Sequence, residues 1–271
     1  MYFTNILLAA STALLAAAAP IQKRIAANPD LSVDLPLYSW PIDGAWDEVY
    51  RALSANPETQ FNIIINPDSG PGHFPPNSDY TGGVAKLNSY GNAHVYGYLR
   101  TGFTDRSISD IQADADNYAQ WNSHSGQDIH LDGIFVDEAP SDSDKVSYMK
   151  SVHDAIHGSF PSGIKIWTNP GTTVPAEYYD YADTITAFET GYSWWVDPTR
   201  EAIPWDLHSK TSVMIMRYEG DANDGGPAEQ ARTLIDRGFK SGFLWGQEGY
   251  QTFSNVWGKF ADAVKQDQEA A

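Results

Sequence analysis

Three carboxylates that end short apolar runs are the side chains of this sequence best suited to chemistry. Asp137 ends the run at 133–137 and Glu138 follows it directly, and Glu189 ends the run at 184–189. Adjacent acids at the rim of a buried sheet repel each other and are costly to desolvate, so they are seldom placed there for stability alone. Two facing carboxyl groups are the machinery that cleaves a glycosidic bond. We predict Asp137, Glu138 and Glu189 as the catalytic residues. We prefer Asp137 as nucleophile or electrostatic stabiliser and Glu189 as acid and base.

Each of these acids also has a structural interpretation. Asp137 or Glu138 could cap the following helix or pair with Arg100, and Glu189 could form a salt bridge with Arg217 on the next strand. Exposed ion pairs of that kind contribute little to stability and say nothing about catalysis. The residue pattern alone leaves both interpretations open.

Aromatic and polar side chains follow the other apolar runs and predict a sugar-binding surface. Sugars present apolar C–H faces and polar edges, which flat aromatic rings, carboxylates and amides hold well. The predicted substrate-binding residues are Tyr38, Trp40, Asn66, Asp68, His73, Tyr98, Arg100, Asn169, Tyr192, Trp194, Tyr218 and Trp245. Other aromatic residues near the same ends are Phe74, Phe103, Trp195, Trp205 and Tyr250. For any single ring, packing in the core is the alternative.

The elements that must position these residues alternate along the chain. Eight apolar runs, separated by helix-like stretches, lie at 36–40, 61–66, 94–101, 133–137, 164–169, 184–189, 212–218 and 242–246. Most are nearly continuous in apolar residues, as parallel strands buried on both faces are. Eight strand–helix units in a chain of this length predict one α/β domain, a (β/α)8 TIM barrel. Its functional residues lie where the strands end, at one mouth of the barrel. An open doubly wound sheet is disfavoured, because no Gly-rich phosphate loop follows the first run.

The ends of the chain are predicted to lie outside this barrel. Residues 6–19 form an apolar, Ala- and Leu-rich run of signal-peptide length, followed by Lys23 and Arg24, which resemble a dibasic processing site. We therefore expect a signal peptide and pro-site at 1–24, an N-terminal extension at 25–35, the barrel at 36–265 and a frayed tail at 266–271. The expected location is extracellular or in the cell wall.

Charge and composition limit the partners. The formal net charge is −18 and there is no cysteine. Strong negative charge disfavours nucleic acid and anionic membranes and favours cationic partners, although solubility in an acidic medium would also explain it. No motif predicts a cofactor or a metal site. We expect a monomer that binds a polysaccharide.

Four segments together resemble the spherulin-4 family. They are PLYSWP at 36–41, IIINPDSGPG at 63–72, VYGYLRT at 95–101 and GIFVDE at 133–138. The resemblance covers nearly the whole chain beyond the predicted signal peptide. It implies a secreted (β/α)8 glycoside hydrolase like those of family 135, which cut α-1,4-linked N-acetylgalactosamine in the fungal exopolysaccharide galactosaminogalactan. The family's acidic cluster would lie at Asp137, Glu138 and Glu189. The partly deacetylated polymer is cationic, which suits an acidic protein.

Other functions remain open. Some relatives of this family are spore-coat or encystment proteins, so a non-catalytic wall or spore-coat polysaccharide binder is the main alternative. Chitinases share a D-G-I-x-x-D-x-E motif, but Glu138 follows Asp137 here without the spacer, which disfavours substrate-assisted chitin cleavage. Another glycosidase specificity, such as chitosan or galactan, is a third possibility. The sequence does not distinguish endo from exo cleavage or retention from inversion.

Overall fold

A computed structural model of the chain describes residues 30–220, 225–247, 250, 253 and 255–270, with backbone only for 267–270. The predicted signal peptide and pro-site at 1–24 lie outside the described residues. In the part of the chain that is described, no helix is both long enough and apolar enough to cross a lipid bilayer.

Eight parallel strands close into a barrel in chain order, which confirms the predicted fold. Each strand pairs with the next, and the first also pairs with the last. The strands are β1 Ser32–Leu37, β2 Phe61–Ile65, β3 Ala93–Arg100, β4 Gly133–Asp137, β5 Lys165–Thr168, β6 Thr184–Gly191, β7 Thr211–Met216 and β8 Ser241–Leu244. Because all eight run in the same direction, their carboxyl ends share one mouth.

Helices follow most strands and form the outer layer. They are α1 Asp47–Ala55, α2 Ser78–Asn88, α3 Ile108–Trp121, α4 Val146–Ser159, α5 Asp197–Glu201, α6 Gly226–Asp236 and α7 Asn255–Ala270. Between β5 and β6 the chain makes a short 3-10 helix, Ala176–Asp180, instead of a full helix. Except for the short α5, which buries no residue, the helices turn apolar faces toward the strands and cover the outside of the barrel.

The first strand begins four residues earlier than its sequence pattern predicts, inside the expected extension at 25–35. The apolar pattern did not predict the start of β1, because Asp34 interrupts it and charged residues are rarely buried. Asp34 is fully buried and accepts hydrogen bonds from Asn62 Nδ2 (2.8 Å) and Ser212 Oγ (2.7 Å). The bond to Ser212 crosses the interior from β1 to β7, so this carboxyl group lies inside the barrel. Burial raises the pKa of Asp34 to about 6.

In the predicted frayed tail, residues 266–270 are helical, because α7 continues to Ala270. Trp257, Phe260 and Val264 anchor this helix in the core at helical spacing. The residues after 265 are mostly Gln, Glu and Ala, which favour helix, so the anchored helix extends past Val264.

A layer of aromatic rings fills the barrel beneath the mouth. The ring of Trp167 meets Tyr96 edge-on at 5.5 Å and Phe135 edge-on at 5.0 Å. Gly133 makes room for this layer, because a Cβ there would lie 2.2 Å from Tyr96 Cε1. The close packing supplies a rigid floor for the side chains one step nearer the mouth.

Candidate active site

Two of the predicted catalytic carboxylates meet at the mouth through one amide. Asp137 is the last residue of β4, Glu189 lies near the end of β6, and Asn169 follows β5 between them. Asn169 Nδ2 donates to Asp137 Oδ1 at 2.8 Å and to Glu189 Oε2 at 2.6 Å. These two oxygens therefore lie no farther apart than about 5.4 Å, the two bond lengths laid end to end.

Backbone contacts fix the orientation of the Asn169 amide. Its Oδ1 accepts from Gly171 N at 3.0 Å, so the NH2 group must face the carboxylates. Gly171 has a φ of +67°, which turns the chain back so that its carbonyl accepts from Glu189 N at 3.1 Å. The loop after β5 thus holds Asn169 and Glu189 in a fixed relation.

A bulge in β6 turns Glu189 into the barrel. Trp167 donates to Thr186 Oγ1 at 2.9 Å, and Asn169, two residues later, donates to Glu189. Thr186 and Glu189 both face inward although they are three positions apart, which a regular strand with alternating faces does not allow. The register against β7 shifts between Thr186 and Phe188, and this extra residue reverses the alternation. Without the shift, Phe188 would face the mouth and Glu189 the outer helices.

Three tyrosines surround the carboxylate pair. Tyr98 hydrogen-bonds Asp137, and the Tyr250 hydroxyl donates to Glu189 Oε1. Tyr38 lies between these two rings, edge-on at 5.6 Å to Tyr98 and 5.3 Å to Tyr250. Burial and the nearby carboxylates raise the pKa of all three well above 10, so they remain protonated hydrogen-bond donors.

Tyr250 was not predicted as a site residue. The sequence offered one signal, an aromatic residue shortly after the last strand, but several other rings share that description. Only the three-dimensional placement singles out the one that contacts Glu189.

The electrostatics of Asp137 suit a group that exchanges a proton. Burial raises its pKa to about 6, with a further contribution from the negative charge of Glu189. Hydrogen bonds from Tyr98, the Glu138 backbone and Asn169 oppose this rise but do not cancel it. Both oxygens of Glu189 accept hydrogen bonds, one from Asn169 Nδ2 and the other from the Tyr250 hydroxyl.

The side chain of Glu138 contacts Arg100. Arg100 Nη1 lies 3.5 Å from Glu138 Oε2, at the partly exposed edge of the mouth. The backbone of Glu138 has a φ of +51°, and its carbonyl accepts from Thr101 Oγ1 at 2.6 Å and from Phe103 N at 2.7 Å. The predicted pairing of Arg100 with an acid is therefore present, and the role of Glu138 in catalysis remains a prediction.

A second group of predicted residues gathers in the loops after β1 and β2. Trp40, Asp68 and His73 line a cavity of about 370 Å³ together with Tyr80 and several prolines. Trp40 meets Tyr80 edge-on at 4.9 Å and donates from Nε1 to Asp79 Oδ2 at 3.0 Å. A cavity of this size with an aromatic wall could hold one sugar unit.

The remaining predicted substrate-binding residues differ in exposure. Asn66 follows β2, and its buried Oδ1 accepts no hydrogen bond from the described residues. Trp194 is 67% exposed after β6, and Tyr192 meets Tyr218 edge-on at 4.8 Å. Tyr218 and Trp245 are only 3% and 2% exposed. Their rings are packed in the core, so these two support the mouth rather than offer an open face to a sugar.

Comparisons with known proteins identify the family. Residues 32–264 match the model of the family described as Spherulation-specific family 4. The chain belongs to the spherulin-4 family. This confirms the resemblance found in the sequence motifs. Spherulin-4 of Physarum polycephalum is 35% identical over 156 residues, a match that covers 57% of this chain and 43% of that protein. The chain thus spans less than half the length of that curated relative.

Solved structures agree with this membership. The crystal structure of Aspergillus clavatus Sph3 in complex with GalNAc is 30% identical, covers 88% of this spherulin-4 family chain and 98% of its own, and superposes with a TM-score of 0.76. A chitinase from Bacteroides thetaiotaomicron, 11% identical, covers 88% of this chain and 96% of its own with a TM-score of 0.56. At that identity the chitinase shows the barrel fold alone.

Proposed function

We propose that this spherulin-4 family member is a secreted glycoside hydrolase that cleaves α-1,4-linked N-acetylgalactosamine or galactosamine polysaccharide within the chain. The observation that most supports it is the single Asn169 amide shared by Asp137 and Glu189 at the barrel mouth. Two carboxyl groups so close, from different strands, have the arrangement that glycoside cleavage needs.

The spacing favours retention of anomeric configuration. Retaining glycosidases hold their carboxyl groups about 5–5.5 Å apart, whereas inverting ones need about 6.5–9.5 Å to admit a water. The facing oxygens of Asp137 and Glu189 are within about 5.4 Å, which leaves little room for that water. One carboxylate would then attack the anomeric carbon directly and form a covalent glycosyl-enzyme intermediate.

The electrostatics favour the reverse of the roles preferred from the sequence. Asp137, with its pKa raised to about 6, would donate a proton to the leaving oxygen and later accept one from water. Glu189, held by Tyr250 and Asn169, would be the nucleophile. The three tyrosines would bind the sugar hydroxyls around them.

The relative Sph3 supports the choice of sugar, because its crystal structure contains GalNAc. Exposed rings around the mouth, such as Trp194, support binding of a long chain rather than of its end alone. The net charge of −18 would attract the deacetylated, cationic stretches of such a polymer. Secretion is supported by the apolar run at 6–19.

Product analysis tests the proposal. Purified protein is incubated with galactosaminogalactan, with chitin and chitosan as control polymers, and released oligosaccharides are measured by mass spectrometry. We expect release from galactosaminogalactan, with products first formed in the α configuration by proton NMR. Asp137→Asn and Glu189→Gln should each abolish most release, whereas Glu48→Gln, an exposed acid paired with Arg51 on α1, should not.

Other outcomes separate the alternatives. Binding of the polymer without any release would support a non-catalytic wall or spore-coat protein. Release from chitosan or chitin instead would contradict the proposed sugar but keep the hydrolase. Parental rates in both carboxylate variants would refute the assignment of the site.

A further inference from the structure

Phe103 has an exposed ring at the barrel mouth that is not part of the packed core. It lies in the 3-10 turn Gly102–Thr104 that follows β3, and it is 64% exposed. A single exposed apolar side chain is ordinary on a protein surface. Its position is not, because the turn lies beside the end of β4, where the catalytic Asp137 is placed.

The backbone of this turn is strained. Gly102, Phe103 and Thr104 have successive φ values of +59°, +52° and +93°. Left-handed conformations are easy for glycine but unfavourable for bulky or β-branched residues. Gly or Asn would adopt this conformation at position 103 at lower cost than Phe does.

The strained turn is bound firmly to the residue after Asp137. Phe103 N donates to the carbonyl of Glu138 at 2.7 Å, and Thr101 N donates to the carbonyl of Asp137 at 3.0 Å. Glu138 is itself in a left-handed conformation. These main-chain bonds fix where the Phe103 ring stands relative to the catalytic pair, and they need no phenyl group to form.

We propose that Phe103 is a platform on which one sugar ring of the polysaccharide stacks, on the β3 side of the catalytic pair. The inference rests on the proposed glycosidase function and adds a binding residue to it. Arg100 and Glu138, beside the ring, supply hydrogen-bonding groups for the edges of an N-acetylhexosamine unit.

The topology places this platform opposite another exposed ring. Around the mouth, β3 precedes the strand of Asp137 and Trp194 follows the strand of Glu189. The two exposed rings therefore flank the catalytic pair on either side. A chain that contacted both would extend beyond the scissile bond in both directions, which is the geometry of internal cleavage.

Replacement of Phe103 by glycine separates binding from stability. Phe103→Gly removes the ring, keeps the backbone N–H to Glu138 and relieves the strain. We expect its melting temperature to equal that of the parent or exceed it by up to about 4 °C. We expect binding of N-acetylgalactosamine oligosaccharides, measured by calorimetry in the inactive Asp137→Asn background, to weaken about tenfold or more. In the active protein KM should rise while kcat stays near the parental value.

Two further variants serve as controls. Thr104→Gly relieves strain in the same turn without removing the ring, so its affinity should equal that of the parent. Phe103→Trp restores a stacking surface and should recover most of the affinity. A melting temperature that falls in Phe103→Gly would mean that the ring is structural and would overturn the proposal. So would unchanged oligosaccharide affinity, or an equal loss in Thr104→Gly.

Failure of the proposed function would look different. If the parent neither binds nor cleaves these oligosaccharides, the glycosidase proposal and this inference both fall. If the parent cleaves them and Phe103→Gly has parental KM and affinity, the inference alone is refuted.

Discussion

The assignment of Asp137 as the proton donor predicts how cleavage depends on pH. With a pKa of about 6, half of this carboxyl group is protonated at pH 6, about a tenth at pH 7 and about a hundredth at pH 8. We therefore expect kcat/KM for an N-acetylgalactosamine oligosaccharide to fall about fivefold from pH 6 to pH 7 and about tenfold from pH 7 to pH 8. The fall follows loss of the proton that the leaving oxygen must receive.

The pH profile does not by itself say which acid holds the proton. Asp137 and Glu189 interact, and either division of roles needs one protonated and one ionised group, so both give the same profile. The leaving group distinguishes them. A fluoride leaving group departs without protonation, whereas a sugar hydroxyl needs a general acid worth about 10²- to 10⁴-fold in rate.

The test compares Asp137→Asn and Glu189→Gln on α-N-acetylgalactosaminyl fluoride and on an oligosaccharide. If Asp137 is the acid, Asp137→Asn should lose about 10²- to 10⁴-fold on the oligosaccharide but form the glycosyl-enzyme from the fluoride at nearly the parental rate. Glu189→Gln should lose both reactions, because the nucleophile is gone. Rapid-quench kinetics with mass spectrometry detects the intermediate.

Two results would refute this reasoning. Equal losses of Asp137→Asn on both substrates would mean that this carboxyl group is not a general acid. A glycosyl-enzyme trapped on Asp137 instead of Glu189 would show that the roles are the reverse. Circular dichroism of both variants, with Glu48→Gln as the matched control, checks that the fold is intact.

Three further predictions follow from the hydrogen bonds and packing of the barrel. Asn169→Ala should lower kcat about 10- to 100-fold and move the descending pH limb above 6, since its amide holds both carboxylates and lowers the pKa of Asp137; a limb that moves down would contradict this. Asp34→Asn should stabilise the protein at pH 7 by up to about 3 kcal/mol, because a buried acid with a pKa raised from 3.8 to about 6 is destabilising once ionised. This gain should fall to about 0.5 kcal/mol at pH 4, where the carboxyl group is protonated in the folded state and only partly protonated in the unfolded state, and it should vanish below about pH 3. Denaturant unfolding at pH 7 and pH 4 measures the difference, and a less stable variant at pH 7 would refute it. Gly133→Ala should lower unfolding free energy by about 1–3 kcal/mol, because its Cβ would meet Tyr96, and the added change Tyr96→Leu should recover part of the loss in the same assay.

The barrel could be predicted from the sequence because its signals are local and repeated. Each strand is a short apolar run, and eight such runs alternating with helices fit few other folds. Asp34 is an exception to the rule that these strands are apolar runs. Its burial depends on Asn62 and Ser212, which are distant in the chain. No short segment of sequence around residue 34 shows that these two residues will contact it.

Individual residues of the site could be predicted from the sequence, but the hydrogen bonds that join them could not. Runs ending in acids pointed to Asp137 and Glu189, because strand ends in a barrel share a mouth. Asn169 was predicted only as a sugar contact, and its bridge between the two acids was not foreseen. Its orientation depends on a turn at Gly171 and on the path of β6. Those are properties of the folded backbone, which residue types at a strand end do not encode.

The irregularity in β6 makes the pairing of that strand as consequential as its composition. Deletion of Ala187 would remove the unpaired residue and leave Thr186, Phe188 and Glu189 opposite Ser212, Val213 and Met214, so Glu189 would still face the mouth. If Ala187 instead paired with Val213, a phenyl group would occupy the mouth and the carboxylate would face the apolar helices. A relative can therefore lack this residue and keep the geometry of the pair, whereas a relative that keeps every acid but pairs the strand regularly would lose it.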